Sequence, residues 1–126
     1  MRRLLLCDDA ADYRALVDSV LAGTDDFTVV GEAVHGRDCL DKVGDVDPDV
    51  VLLDLDMPLM DGFEALPRLR EQAPSARIVV LTSSWSAERE RRAMDLGATA
   101  FLEKPRNVLE LPDALRAALG PCRARD

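Results

Sequence analysis

Short apolar runs alternate with stretches in which apolar residues recur every three or four positions along this 126-residue chain. The short runs are too uniformly apolar for strands that expose one face, which indicates a parallel sheet covered on both sides. Five strands are predicted, each followed by a helix: Arg3–Cys7, Thr28–Ala33, Val50–Leu53, Arg77–Leu81 and Ala100–Leu102.

The helix-spaced stretches predict five helices. The first carries an apolar stripe from Tyr13 to Leu21, and Gly23 is expected to end it in the left-handed conformation. The next three should run from about 37 to 43, 63 to 72 and 87 to 96, with Gly97 as the cap of the fourth helix.

Two prolines affect the helix boundaries. Asn107 could cap a fifth helix from Val108 onward, but Pro112 then falls in its first turns, and Pro67 lies early in the third helix. Proline lacks an N–H donor and crowds the preceding turn. We therefore expect a kink or a late start in both helices, with Pro112 as the alternative start of the fifth.

The fivefold alternation of strand and helix predicts an α/β fold. Right-handed crossovers and one reversal of direction beside the first strand give a single doubly wound domain over residues 1–120, with strand order 2-1-3-4-5. Residues 121–126 are expected to be a C-terminal tail or a truncated linker.

Composition narrows the function. A formal charge of −8 and a pI near 4.6 argue against broad contact with nucleic acid or anionic lipid. The sequence shows neither a membrane span nor a secretion signal, so a cytoplasmic protein is expected. Cys7, Cys39 and Cys122 are an odd number without metal-type spacing, which predicts free, mostly buried thiols.

Carboxylates close two of the predicted strands. Asp8 and Asp9 follow the first strand, and Asp54 and Asp56 follow or nearly follow the third. In the predicted strand order Asp8, Asp9 and Asp54 share the crevice where open α/β folds bind ligands. Neighbouring carboxylates stay ionised when a hard divalent cation neutralises them, so Mg²⁺ or a similar ion is predicted there.

This arrangement suits phosphoryl transfer to a carboxylate. Asp54 is central enough to be the nucleophile, with Mg²⁺ held by Asp8 or Asp9, Asp54 and a backbone carbonyl after it. Thr82 and Lys104, at the ends of the fourth and fifth strands, would donate hydrogen bonds to the phosphoryl oxygens.

The motifs together resemble the receiver domain of response regulators in two-component signalling. The resemblance covers residues 3 to about 119 and is carried by Asp8-Asp9, the sequence DLDMPLMDG over 54–62, LTSS over 81–84 and FLEKP over 101–105. Residues 27–33 and 53–58 are most similar to receivers that precede LuxR-type helix-turn-helix DNA-binding domains, although these 126 residues contain no such domain.

The resemblance implies a (βα)5 flavodoxin-like fold in which Asp54 is the phosphoacceptor. It also implies that Asp8 and Asp9 hold Mg²⁺ (or Mn²⁺) together with Asp54 and the backbone carbonyl of Asp56. Thr82 and Lys104 would bind the phosphoryl group.

The resemblance further implies a conformational switch. Thr82 would move inward on phosphorylation, Phe101 would follow it, and the face formed by the fourth helix, fifth strand and fifth helix would change. Asp56 and Ser84 occupy positions that tune dephosphorylation in the family.

The implied partners are a sensor histidine kinase and an output domain or downstream protein. A homodimer through the same fourth-helix, fifth-strand and fifth-helix face is a further expectation, as are the absence of membrane binding and of direct nucleic-acid binding by this domain. The chain would be a signalling receiver and not an enzyme, since it would catalyse only its own phosphorylation and dephosphorylation.

Other interpretations of the same residues stay open. Asp8, Asp9 or Asp12 could simply cap the first helix. Asp54-Leu55-Asp56 also resembles the nucleophile motif of haloacid-dehalogenase-type phosphatases, although that motif normally follows the first strand. A nucleotide- or flavin-binding module is a third reading, but no glycine-rich loop follows the first strand. A degenerate receiver that is never phosphorylated is a fourth.

Overall fold

Five parallel strands form one sheet in the order β2-β1-β3-β4-β5 in the computed structural model, which describes residues 1–120. This confirms the predicted α/β fold and strand order; the proposed tail or linker at 121–126 lies outside the described residues. The strands are β1 Arg2–Cys7, β2 Phe27–Ala33, β3 Val50–Leu53, β4 Arg77–Thr82 and β5 Ala100–Glu103.

Helices connect the strands and cover both faces of the sheet. They are α1 Ala11–Ala22, α2 Gly36–Val46, α3 Gly62–Gln72, α4 Ala87–Asp95 and α5 Leu111–Leu119, with a 3₁₀ turn at Val108–Glu110.

Three helix starts are fixed by side-chain caps. His35 Nδ1 accepts a hydrogen bond from the Asp38 amide at 3.1 Å at the start of α2. Asp61 and Ser86 accept equivalent bonds at α3 and α4, at 2.9 and 3.0 Å. Each cap satisfies one of the N–H groups that the first turn leaves unpaired. Asp61 is thus a helix cap, as its Asp-Gly context indicates.

The sheet separates two apolar clusters. Leu4 and Leu6 of β1 face the cluster with α1 and α5, while Leu5 and Cys7 face the cluster with α2 and α3. Alternate side chains of a strand point to opposite faces, so a strand buried on both faces must be apolar throughout. Burial on both sides therefore explains the continuous apolar runs in the sequence.

The two prolines behave differently. Helix α5 begins at Leu111 with Pro112 in its first positions, which confirms the late start. A kink or a late start was predicted for the third helix, and the late start is wrong, because α3 begins at Gly62 and contains Pro67. Its fully buried Leu66 and Leu69 flank the proline, so packing against the sheet offsets the missing backbone hydrogen bond.

The two predicted glycine stops also differ. Gly97 follows α4 and has φ +113°. L-residues rarely adopt this backbone conformation, so a glycine is expected there. Gly23 has φ −81°, so the left-handed end predicted for α1 is wrong. Here the Thr24 hydroxyl donates to the Leu21 carbonyl at 2.6 Å and satisfies a helix-end acceptor without a left-handed residue.

Cys7 and Cys39 are joined by a disulfide, with their Cα atoms 6.2 Å apart. Both side chains are buried, as predicted, but the free thiols predicted for this pair are wrong. The reason is tertiary: the end of β1 and the first turns of α2 meet in one apolar cluster although they are far apart in sequence. Cys122 lies outside the described residues.

Leu59 has a left-handed backbone, with φ +65°, and 84% of its surface is exposed. A side chain strains the backbone in this conformation, and the exposed leucine side chain gains little stabilisation from burial. We expect Leu59→Gly to raise the free energy of unfolding by about 0.5–1 kcal/mol in urea titrations. Leu109→Gly is the matched control, since Leu109 is also exposed but has no positive φ, and it should destabilise; equal losses in both variants would contradict strain at Leu59.

Candidate functional site

The site lies at the carboxyl ends of β1 and β3. These strands are parallel neighbours in which Cys7 pairs with Leu53. The Asp54 amide continues this ladder by donating to the Cys7 carbonyl at 2.9 Å. Asp8 and Asp54 therefore leave the sheet at the same level, on adjacent strands.

Asp8, Asp9 and Asp54 form a cluster in which one carboxylate oxygen from each residue lies within 4.8 Å of the others. Asp8 and Asp54 are 2% and 6% exposed, while Asp9 is exposed to solvent. Oxygen donors from two buried carboxylates and one solvated carboxylate suit a hard divalent cation that keeps some of its waters. The structure thus brings together the three carboxylates that the sequence predicted as metal ligands.

Lys104 lies against the buried carboxylates. Its Nζ is 2.7 Å from Asp8 Oδ2 and 3.6 Å from Asp54 Oδ2. The Lys104 amide donates to the Thr82 carbonyl at 2.7 Å, which places the lysine just beyond the pairing of β4 and β5. One ammonium thus neutralises part of the negative charge of two neighbouring carboxylates.

Burial raises the pKa of Asp54 to about 6. The Lys104 ammonium and the Asp56 amide, which donates to Asp54 Oδ1 at 3.2 Å, oppose this rise, while the charges of Asp8 and Asp56 add to it. Desolvation disfavours the ionised carboxylate, and the single lysine does not compensate fully. A further positive charge beside Asp54 would therefore stabilise its ionised form.

Asp8 is held by local hydrogen bonds. Its Oδ1 accepts from the Ala10 amide at 2.9 Å, and its backbone carbonyl accepts from Arg14 Nη1 at 2.7 Å. Helix α1 has Ala10 at its N-cap, without a side-chain cap. Asp8 therefore orders the turn before α1, and the alternative in which it caps the helix itself is wrong.

Thr82 is fully buried at the end of β4. Its hydroxyl donates to Asp56 Oδ2 at 3.3 Å and accepts from the Ser84 amide at 3.2 Å. The side chains of Asp56 and Thr82 thus face one another across the ends of β3 and β4. The sequence expectation placed Asp56 in the site through its carbonyl and did not foresee this carboxylate contact.

Phe101 is half-buried on β5 and packs against the cluster formed with α2 and α3. Its neighbours Ala100 and Leu102 pack on the opposite face of the sheet. The aromatic ring is therefore on the face that a change at Thr82 would reach through β4, and its switching role stays a prediction.

Two residues of the site were missed in the sequence. Lys104 Nζ lies 4.2 Å from the centre of the Tyr13 ring, and burial with the charges of Asp8 and Asp54 raises the pKa of Tyr13 to about 12. In the sequence Tyr13 belongs to the apolar stripe of α1, which predicts only a packing role for it. Arg89 binds both carboxylate oxygens of Asp56, at 3.0 and 3.1 Å. No sequence signal separates it from the other arginines of α4.

Residues 4–116 match the family described as the response regulator receiver domain. The nitrate/nitrite response regulator protein NarL of Escherichia coli (strain K12) is 40% identical over 115 residues, which are 91% of this chain and 53% of that protein. A protein-glutamate methylesterase/protein-glutamine glutaminase of Halalkalibacterium halodurans is 40% identical over 110 residues, 86% of this chain and 32% of that protein. The chain thus spans about a third to a half of these relatives.

Solved structures show the same fold. The response regulator domain of CheB from Thermotoga maritima superposes with a TM-score of 0.84 at 28% identity, over 94% of this chain and 93% of that chain. A LuxR-family two-component response regulator from Aurantimonas sp. SI85-9A1 gives a TM-score of 0.85 at 26% identity, over 93% and 84% of the two chains. Within residues 1–120 no helix is both long and apolar enough to cross a bilayer.

Proposed function

This chain belongs to the response regulator receiver domain family of two-component signalling, and from that premise we propose that it is a switch that accepts a phosphoryl group on Asp54. The donor would be a sensor histidine kinase or a small phosphodonor. The supporting observation is the cluster of Asp8, Asp9 and Asp54 with Lys104 Nζ 2.7 Å from one buried carboxylate and 3.6 Å from another.

Asp8, Asp9, Asp54 and the backbone carbonyl of Asp56 would hold Mg²⁺ (or Mn²⁺). The donor set fits, because these are hard oxygen ligands and the buried pair carries more negative charge than Lys104 balances. When bound, the cation would supply charge neutralisation for the nucleophile and for the phosphoryl oxygens.

In the proposed reaction an Asp54 carboxylate oxygen attacks phosphorus as the bond from phosphorus to the donor's nitrogen or oxygen breaks, and the leaving group takes up a proton. Lys104 would bind a phosphoryl oxygen by a charge-assisted hydrogen bond, since its ammonium already lies beside Asp54. At neutral pH Asp54 is mostly ionised because its pKa of about 6 is lower, so the nucleophile is available.

Phosphorylation would shift a conformational equilibrium. The Thr82 hydroxyl would leave Asp56 for a phosphoryl oxygen, Phe101 would move inward, and the face of α4, β5 and α5 would change. We propose that Asp56 and Ser84 tune dephosphorylation, because the Ser84 amide and the Asp56 carboxylate both contact the Thr82 hydroxyl.

The proposed partners follow from the family. They are a sensor histidine kinase, an output domain or downstream protein such as the LuxR-type domains of similar regulators, and a second copy through α4, β5 and α5. We propose a cytoplasmic location and no direct contact of this domain with membrane or nucleic acid.

Incubation with phosphoramidate and Mg²⁺, followed by intact-mass measurement, tests the proposal. The wild type should gain the mass of one phosphoryl group, because one carboxylate accepts one group. Asp54→Asn should gain none, since an amide does not form the acyl phosphate.

The phosphatase alternative makes a different prediction in the same experiment. Repeated hydrolysis of a small phosphomonoester with Mg²⁺, without an accumulated phosphoprotein, would contradict the receiver function and support an enzyme. An unmodified wild type in the presence of saturating donor and cation would support a degenerate receiver.

A further inference from the structure

Arg89, in the first turn of α4, connects three parts of the rim of the site. Its Nη2 donates to both carboxylate oxygens of Asp56, at 3.0 and 3.1 Å, and its Nε donates to the Ser84 carbonyl at 2.9 Å. One guanidinium therefore ties α4 to the loop after β3 and to the loop after β4.

The guanidinium is also supported from α3. It lies over the Phe63 ring, 5.3 Å from its centre, and Arg92 lies over the same ring at 4.1 Å. A cation placed over an aromatic face is attracted by the ring quadrupole, and a planar guanidinium loses little freedom when it is stacked. Phe63 therefore helps to orient Arg89 toward Asp56.

The two residues that Arg89 binds also hold the Thr82 hydroxyl: the Asp56 carboxylate is shared, while at Ser84 the carbonyl contacts Arg89 and the amide contacts Thr82. Thr82 Oγ1 donates to Asp56 Oδ2 at 3.3 Å and accepts from the Ser84 amide at 3.2 Å. Arg89 thus fixes the acceptor of the Thr82 proton and the residue that donates to the same oxygen.

We propose that Arg89 is a positioning residue that stabilises the unphosphorylated arrangement by keeping the Thr82 hydroxyl directed at Asp56. We refer to the contacts among Arg89, Asp56, Ser84 and Thr82 as the Arg89 latch. This inference rests on the proposed function, because the latch would oppose the movement of Thr82 toward a phosphoryl group on Asp54.

The physical basis is competition for one proton. A threonine hydroxyl carries a single O–H, so donation to Asp56 and donation to a phosphoryl oxygen exclude one another. By holding the Asp56 carboxylate in place, Arg89 favours the first of these bonds. The ion-pair side chains are 28% and 52% exposed, so solvent screens the pair and its effect on the equilibrium should be modest.

The phosphoramidate reaction tests the latch through its rate. With Mg²⁺ present, Arg89→Gln should be phosphorylated about two- to fivefold faster than wild type, because less work is needed to release Thr82. Arg92→Gln is the matched control, since Arg92 stacks on the same ring, and its rate should equal that of wild type. A gain in rate also separates a latch from simple structural damage, which would lower the rate.

A double-mutant cycle tests whether Arg89 acts through Asp56. In the Asp56→Asn background, Arg89→Gln should add no further acceleration, since the ion pair is already lost. An equal effect of Arg89→Gln in both backgrounds would overturn the proposal, as would a slower Arg89→Gln, which would assign Arg89 to the attraction of the anionic donor.

Hydrogen exchange of the unphosphorylated protein gives a second measurement that does not depend on Asp54 chemistry. The Ser84 amide, which donates to Thr82 Oγ1, should exchange faster in Arg89→Gln and at the wild-type rate in Arg92→Gln. If wild type accepted no phosphoryl group, the proposed function would be wrong. The exchange rates of the Ser84 amide in the two variants would still test the Arg89 latch. Unchanged exchange at Ser84 in Arg89→Gln would overturn the latch itself.

Discussion

Asp8→Asn is expected to weaken Mg²⁺ binding by about 10- to 100-fold and to slow phosphorylation of Asp54 at subsaturating cation. The substitution removes the charge of a buried carboxylate from a cluster in which one oxygen from each of three carboxylates lies within 4.8 Å of the others. It also frees Lys104, whose closest carboxylate is Asp8, to compete with the cation for Asp54. The lost charge and the competition by Lys104 both lower the affinity for Mg²⁺, which calorimetric titration measures.

Asp12→Asn is the matched control for this experiment. Asp12 carries the same charge on the first turn of α1, but it is exposed and outside the carboxylate cluster. Its loss should change the Mg²⁺ affinity by less than about twofold, because solvent and salt screen exposed charges. Equal losses of affinity in both variants would contradict a specific site at Asp8 and indicate general attraction of the cation by an acidic surface.

Asp54→Asn is expected to stabilise the metal-free protein at neutral pH by about 1–3 kcal/mol. The pKa of Asp54 rises from 3.8 to about 6 on folding, chiefly by burial. When the pH is above the pKa of Asp54 in the folded state, the wild type must keep a desolvated charge. Asparagine is neutral and can still accept the hydrogen bond from the Asp56 amide. Urea unfolding with a chelator present measures the difference.

The pH dependence of this stabilisation has a definite sign. The raised pKa means that the folded wild type binds a proton more tightly than the unfolded chain, so this stability is complete below about 4 and is lost as the pH rises through about 6. The advantage of Asp54→Asn should therefore shrink as the pH falls from neutral toward 4. A difference that is constant with pH would contradict the raised pKa. With Mg²⁺ added at neutral pH, wild type should gain more stability than the variant.

The sheet edge was predictable because it depends on short-range patterns. Uniformly apolar runs indicated buried parallel strands, and the predicted strand order placed Asp8 beside Asp54. The observed pairing of Cys7 with Leu53 agrees with this placement. A residue that directly follows a strand has its position fixed by the strand order and register alone. The location of the acidic cluster and of Lys104 at this edge could therefore be predicted from the sequence. The distances between their side-chain atoms could not.

Contacts between elements that are distant in the sequence were not predictable. Helix α4 reads AERERRAMD, and its several arginines are equivalent until the rotation of the helix directs Arg89 toward Asp56. The Cys7–Cys39 pair likewise depends on where α2 packs against β1, which periodicity does not specify. Pro67 shows the opposite case, since a correct local rule is overridden by the burial of Leu66 and Leu69 around it.

Chemical mapping of the phosphorylated residue tests the central claim most directly. Wild type is incubated with phosphoramidate, with Mg²⁺ or with a chelator, and the acyl phosphate is then reduced with borohydride, which converts the modified aspartate to homoserine. Peptide mass spectrometry should find homoserine at position 54 in the Mg²⁺ sample and aspartate there in the chelated one. Modification of Asp8, Asp9 or Asp56 in place of Asp54, or equal modification without the cation, would contradict a magnesium-dependent phosphoacceptor at Asp54.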